Sequence, residues 1–329
     1  MKLRSLMLSA IVALPGAVVA AEAPSSRDWG TTKAPSRAAA ATAPRALASI
    51  PAAASFANAR YGTGGVGLRN RGGGSIEVST VTGPVKAAYL YWAVISTGTP
   101  PAASGKPSIS RRLPTVSGAV GLTGTVIGTG ASPCWPGNLI TVFKASVASS
   151  VANGAGTYEV RFPAGAGGST AGGDPWVVTP TLPLLEGASL VVIGPAADGT
   201  SVAVYDQGLA GATFSSSLSY SLPLPKTANG QLAIIDFIGA DGQHGFGRPA
   251  DSNAANEVTR INGTAIAGSG SAYRDSDWNG GAGGPLPELW DTTSHVVTSL
   301  VKSGATKLDV SFTAQGDCLT PVANVVRVR

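Results

Sequence analysis

The sequence predicts an all-β chain, two β-sandwich or jelly-roll-like lobes related by duplication, with one or two short helical turns. Three observations carry this: short apolar runs rich in β-branched and aromatic residues, turn residues in the gaps between them, and an internal repeat at constant offset. The 329 residues include 44 Gly and 23 Pro, and only 12% are charged, against roughly 25% in an average globular chain. With 43% hydrophobic residues the chain can bury a core, which excludes intrinsic disorder.

The runs fall in order. Residues 75–81 (SIEVSTV) alternate at period two, as in a strand with one buried face. Residues 85–95 (VKAAYLYWAVI) are almost unbroken apolar text, which suits a central strand covered on both sides. Further strands are expected at 157–162, 188–193, 201–205, 231–238, 306–312 and 322–328. Ala197-Asp198-Gly199-Thr200 reads as a hairpin turn. Many short strands with Gly/Pro turns argue for a sandwich or jelly roll.

The repeat aligns residues 146–162 (SVASSVANGAGTYEVRF) with 296–312 (VVTSLVKSGATKLDVSF) at an offset of 150. Val147/Val297, Ser149/Ser299, Val151/Val301, Gly154/Gly304, Ala155/Ala305, Val160/Val310 and Phe162/Phe312 are identical pairs. Valines four apart with Gly three residues on fit one or two helical turns and a glycine stop. The alternative is chance matching of low-complexity text; the favoured reading is two lobes, 56–225 and 226–329, joined in the proline-rich 221–230.

The N-terminus reads as an export signal over 1–20: Lys2 and Arg4, an apolar run from Leu6 to Ala20, then small residues. That run falls short of the ~20 apolar residues a spanning helix needs, and no later stretch of such length lacks turn residues. No transmembrane segment is therefore expected in the mature chain. Residues 21–55 form an Ala/Pro/Ser-rich tether. The expected location is secreted, cell-surface or periplasmic. Cys134 and Cys318, the only cysteines, read as one disulfide in an exported chain.

Charge is uneven. Residues 1–112 carry 13 basic and 3 acidic side chains, and 236–291 carry 8 acidic and 3 basic. The arginines are scattered among Ala and Pro without interleaved aromatics, so nucleic-acid binding is not expected. Asp275-Ser276-Asp277-Trp278-Asn279-Gly280 opens like a calcium loop, with oxygen ligands at alternate positions before a bend-permitting Gly. The twelfth position is Leu286, so Glu288 or Asp291 would have to close a Ca2+ shell; a turn with its own Asx hydrogen bonds is the plainer reading. Trp278, Trp290, His244 and Tyr273 lie among acids and glycines, where loop display toward a ligand is the expectation. No Gly-x-Ser-x-Gly elbow is present, and the only histidines are His244 and His295, so nucleophilic catalysis and zinc or copper chemistry find no support. His295 is expected to be structural.

The AAYLYW strand (87–92), Pro133-Cys134-Trp135, the GASLVVI strand (187–193) followed by VAVYDQG (202–208), and Asp241-Gly242-Gln243 together resemble secreted bacterial β-sandwich domains of uncharacterised function, often found in cell-surface proteins. The resemblance implies the fold and an extracellular setting, and assigns no catalytic residue. The function expected is a binding or structural module contacting a glycan or surface protein through loops 241–291, ranked ahead of an enzyme. Two alternatives stand beside it: a glycan-directed hydrolase using carboxylates of the same loops, the second lobe resembling, in architecture alone, the jelly-roll pair of glycan-releasing amidases, and a self-assembling extracellular coat or matrix subunit.

Overall fold

A computed structural model of the chain describes residues 48–132, 135–168, 170–173, 181–242, 257–268, 277–278, 280, 289–314 and 318–329. These belong to one compact unit, Ala38–Arg329. The export signal and residues 21–47 of the expected tether lie outside the described residues.

The described chain is all-β, with two single-turn 3-10 helices at Ala102–Gly105 and Thr298–Leu300. The strands run β1 (Ala48–Ser49), β2 (Ala54–Ala57), β3 (Ala59–Gly67), β4 (Gly73–Val78), β5 (Ala87–Ser96), β6 (Ser108–Leu113) and β7 (Val120–Gly121). Then follow β8 (Thr125–Ala131), β9 (Leu139–Ser146), β10 (Gly156–Arg161), β11 (Leu184–Pro195), β12 (Ser201–Tyr205) and β13 (Ser217–Pro223). The last six are β14 (Ala233–Ala240), β15 (Val258–Ile261), β16 (Thr264–Ala267), β17 (Trp290–Val296), β18 (Lys307–Thr313) and β19 (Thr320–Val328).

They form four sheets, and the repeat is visible in their order. The first lobe has an inner sheet β3-β11-β5-β9-β8 and an outer sheet β4-β10-β6-β7. The second has an inner sheet β2-β12-β19-β14-β17 and an outer sheet β1-β13-β18-β15-β16. With β1, β2 and β8 set aside, β3-β11-β5-β9 matches β12-β19-β14-β17, and β4-β10-β6-β7 matches β13-β18-β15-β16. Each lobe is an eight-stranded jelly roll. Sheet membership changes over at the 196–200 turn, upstream of the proline-rich 221–230.

Alternation along the strands puts three cores between four layers. In β5, Ala88, Leu90, Trp92 and Val94 face the first lobe's interior, while Tyr91, Ala93 and Ile95 face the second lobe. In β14, Ile235 and Phe237 face the second lobe's interior, while Ile234 and Ile238 face the first lobe. Both inner sheets are thus covered on both sides, which is why their strands read as unbroken apolar runs. Trp92 anchors the first core, stacked on Phe143 at 5.4 Å and edge-on to Phe162, with its indole N–H donating to Ser104 O at 2.8 Å. Phe312 anchors the second, edge-on to Phe237 and Trp278.

The repeated segment does the same work twice. Val147, Val151, Tyr158, Val160 and Phe162 are buried in the first core, and Val297, Val301, Leu308, Val310 and Phe312 in the second. Each copy leaves an inner-sheet strand, β9 or β17, turns, and enters the outer sheet as β10 or β18.

Candidate functional site

Strand direction fixes where the connections go. β3 and β5 both run antiparallel to β11, and β9 antiparallel to β5. The connections leaving β3 and β5 and entering β9 and β11 therefore share one end of the first lobe. By the same reasoning the connections leaving β12 and β14 and entering β17 and β19 share one end of the second. Contacts between the lobes bring these two ends together. Ser189 Oγ, midway along β11, lies 2.6 Å from Thr292 Oγ1 near the start of β17, and the indole N–H of Trp290, the first residue of β17, donates to the same Ser189 Oγ at 2.8 Å. A Cβ on Gly187 would overlap the Trp290 ring, so this glycine permits the close packing of β11 on β17.

At that junction sits a buried charge cluster. Arg69 follows β3, Glu186 lies in β11, and Asp241 follows β14; their side chains are 4%, 0% and 7% exposed. Arg69 grips Glu186 with two bonds, Nε to Oε1 at 3.0 Å and Nη2 to Oε2 at 2.5 Å, the fork geometry that makes such pairs strong. The same Nη2 lies 3.5 Å from Asp241 Oδ1, and the guanidinium stands 5.5 Å from the centre of the Trp135 ring. Glu186 is aimed by a β-bulge: Leu185 pairs with Val94 and Gly187 with Ala93, which leaves Glu186 without a partner on β5. Asp241 adopts a left-handed backbone, φ 68°.

Burial sets the electrostatics. Loss of hydration pushes the Glu186 carboxyl up, opposed by the Arg69 charge and hydrogen bond. Asp241 is pushed up to about 8, chiefly by burial and then by the Glu186 charge, with Arg69 and a Trp135 hydrogen bond working against it. One guanidinium thus faces two carboxyls, and Asp241 holds a proton near neutrality. Its Oδ2 is buried without a hydrogen bond.

Two further polar groups tie the lobes. Tyr61 and Thr63 of β3 donate to Asp236 of β14, the tyrosine at 2.7 Å. Tyr91 and Lys144 of the first lobe donate to Asp206, which follows β12, at 2.8 and 2.6 Å.

The residues singled out in the sequence are placed as follows. Trp278 is buried in the second core, edge-on to Phe214 and Phe312. Trp290 is buried between the lobes. Neither indole is displayed toward a ligand; each fills a core that glycine backbones leave open beside it. Asp277 Oδ1 lies 2.5 Å from His295 Nε2, and Asp291 Oδ1 accepts the Gly280 N–H at 2.8 Å. The described part of the Asp275–Gly280 loop is therefore held by internal bonds. His295 is half-buried against Phe237, as a structural histidine would be. Burial lowers its pKa, but the Asp277 hydrogen bond and charge and the Asp236 charge outweigh this and raise it.

His244, Tyr273, Asp275, Asn279, Glu288 and Cys134 lie outside the described residues. Cys318 is buried and is not a free thiol. Among the described residues no group of three His, Cys, Asp or Glu side chains is placed to hold a metal, and no helix is long and apolar enough to cross a membrane. Sequence reasoning missed Arg69 and Glu186. The available signal was Glu186 itself, a lone charge inside the apolar run LPLLEGASLVVI. No known protein family and no curated protein matches the chain.

Proposed function

We propose that the chain is an exported, secreted or cell-surface binding module whose loops 241–291, together with the first lobe's connections at the same end, contact an extracellular glycan or surface protein. The supporting observation is that two jelly rolls, locked through a shared core, carry the connections of both inner sheets to one end. A rigid scaffold presenting clustered loops is a common arrangement for recognition. The likeness to secreted bacterial β-sandwich domains belongs with this reading, as do removal of residues 1–20 on export and a Cys134–Cys318 bond. Ca2+ held by Asp275, Asp277 and Asn279, with Glu288 or Asp291 closing the shell, would order the loops. The test is a glycan array and a surface-protein panel probed with the purified mature chain. Binding that falls at least tenfold in Tyr273→Ala or His244→Ala, with melting temperature unchanged, supports the reading; binding indifferent to every change in 241–291 refutes it. A calcium titration that moves neither melting nor loop proteolysis removes the metal.

A second reading, hydrolysis of a glycan, is favoured by one observation: Glu186 and Asp241 both lie within reach of a single Arg69 nitrogen, one of them protonated near neutrality. A protonated and an ionised carboxyl facing each other is the pairing glycosidases use, at separations of roughly 5–9.5 Å. The cluster is closed, so substrate would have to part the surrounding connections, and this ranks the reading second. Turnover on a polysaccharide or glycopeptide panel, abolished by Asp241→Asn with folding intact, would put it first.

A further inference from the structure

Residues 48–57 stand outside the repeat. β1 lies parallel to β13, Ala48 opposite Tyr220 and Ser49 opposite Ser221. The next residue, Ile50, donates its N–H to Ser221 O at 2.9 Å and buries its side chain in the second core. β2 lies antiparallel to β12, Ala54 opposite Val204 and Ala57 opposite Ser201, with Phe56 packed on the interlobe core. This segment therefore forms the edge strand of both sheets of the second lobe. In the first lobe no added strand flanks β3 or β4 among the described residues; Gly62 and Gly64 instead bring β3 directly against the carbonyls of Ser79, just past β4, and of Glu77 within it.

The second lobe is thus completed by chain that precedes the first lobe and joins it through one residue, Asn58. That residue has φ 48°, in the left-handed region. Its carbonyl accepts the Ala196 N–H and the Lys86 ammonium, each at 2.9 Å. If Asn58 became extended, β2 and β3 would run on as one strand and carry residues 48–57 away from their own second lobe.

We propose that residues 48–57 are an exchangeable strand pair that completes the second lobe of a second copy of this chain. Closed and exchanged forms share every strand pairing and the burial of Ile50 and Phe56. They differ only at the Asn58 hinge and in the entropy of association. A short strained hinge is the feature that tips such a balance toward exchange. The proposal does not depend on what the loop end binds.

The test uses full chains carrying Ser49→Cys or Ser221→Cys, mixed at high concentration, warmed, diluted and oxidised. Exchange predicts a dimer by light scattering and a disulfide joining the two variants, absent when either is oxidised alone. Asn58→Gly, which tolerates the left-handed hinge, lowers the dimerisation constant. Asn58→Val, which resists it, raises that constant, the two differing roughly tenfold or more. Dimers without the cross-chain bond overturn the proposal, as does a folded Asn58→Val chain that stays monomeric. Should Asn58→Val not fold, equal dimerisation by wild type and Asn58→Gly overturns it.

Discussion

Arg69→Met keeps an unbranched side chain against Trp135 and removes the guanidinium that pairs with Glu186 and Asp241 in the junction cluster. Breaking a buried ion pair from one side destabilises by about 3–5 kcal/mol, because the remaining charge has neither water nor partner. The folded unit holds about 280 residues, and at ~2.1 cal/mol/K per residue a loss of ~4 kcal/mol lowers the melting temperature by about 7 °C. The pH dependence gives the sharper signature. Both carboxyls already sit above the ordinary carboxylate range, and the variant loses the charge that holds them down. A carboxyl raised in the folded state binds a proton there that the unfolded chain releases, so stability rises as pH falls through the folded value toward ~4. Urea unfolding at pH 5, 7 and 8.5 should therefore show the deficit largest at pH 8.5 and less than half as large at pH 5. A variant within ~1 kcal/mol of wild type at pH 8.5, or a deficit that grows on acidification, would refute the electrostatic reading.

Three further outcomes follow from the same contacts. Asp241 is raised to about 8, so wild-type stability should decline as pH rises from about 4 to about 8, and Asp241→Asn should flatten that decline in thermal melts. Trp290→Ala empties a fully buried site between the lobes and should cost about 3–5 kcal/mol in chemical unfolding, with surviving folded protein binding any loop-end ligand as before. The raised His295 pKa means that its stabilisation is complete below the unfolded value near 6.5 and is lost as pH rises through the folded value. Asp277→Asn should bring the imidazole titration, followed by NMR, back down.

The inner strands were legible in the sequence because two-sided burial writes itself as continuous apolar text. AAYLYWAVI became β5, and LVVI, SVAVY, AIIDFI and VANVVRV lie in β11, β12, β14 and β19. The 150-residue echo was legible too, because valine spacing and a period-two strand face survive in both copies. What escaped was strand carried by glycine. RYGTGGVG forms β3 because Gly62 and Gly64 admit the neighbouring carbonyls of Ser79 and Glu77, a reason visible only when the neighbour is known. β17 escaped because WDTTSHV mixes an interlobe tryptophan with polar residues facing other polar residues across the inner sheets. Trp278 and Trp290 looked like loop aromatics for the same cause: glycine and aspartate beside them signal a turn, and the cores they fill are assembled from distant strands. The Arg69–Glu186–Asp241 cluster joins residues more than fifty positions apart, and no local spacing announces it.

Native-state hydrogen exchange tests the back-to-back stacking most directly, since that shared core holds the loop ends as one surface. The amides of β5, β11, β14 and β19 should exchange only through global unfolding, in one shared transition across both lobes, and Arg69→Met should lower that single free energy uniformly. Exchange of one lobe's inner sheet well before the other's, with Tyr91 and Val325 becoming solvent-accessible while each lobe stays folded, would contradict it.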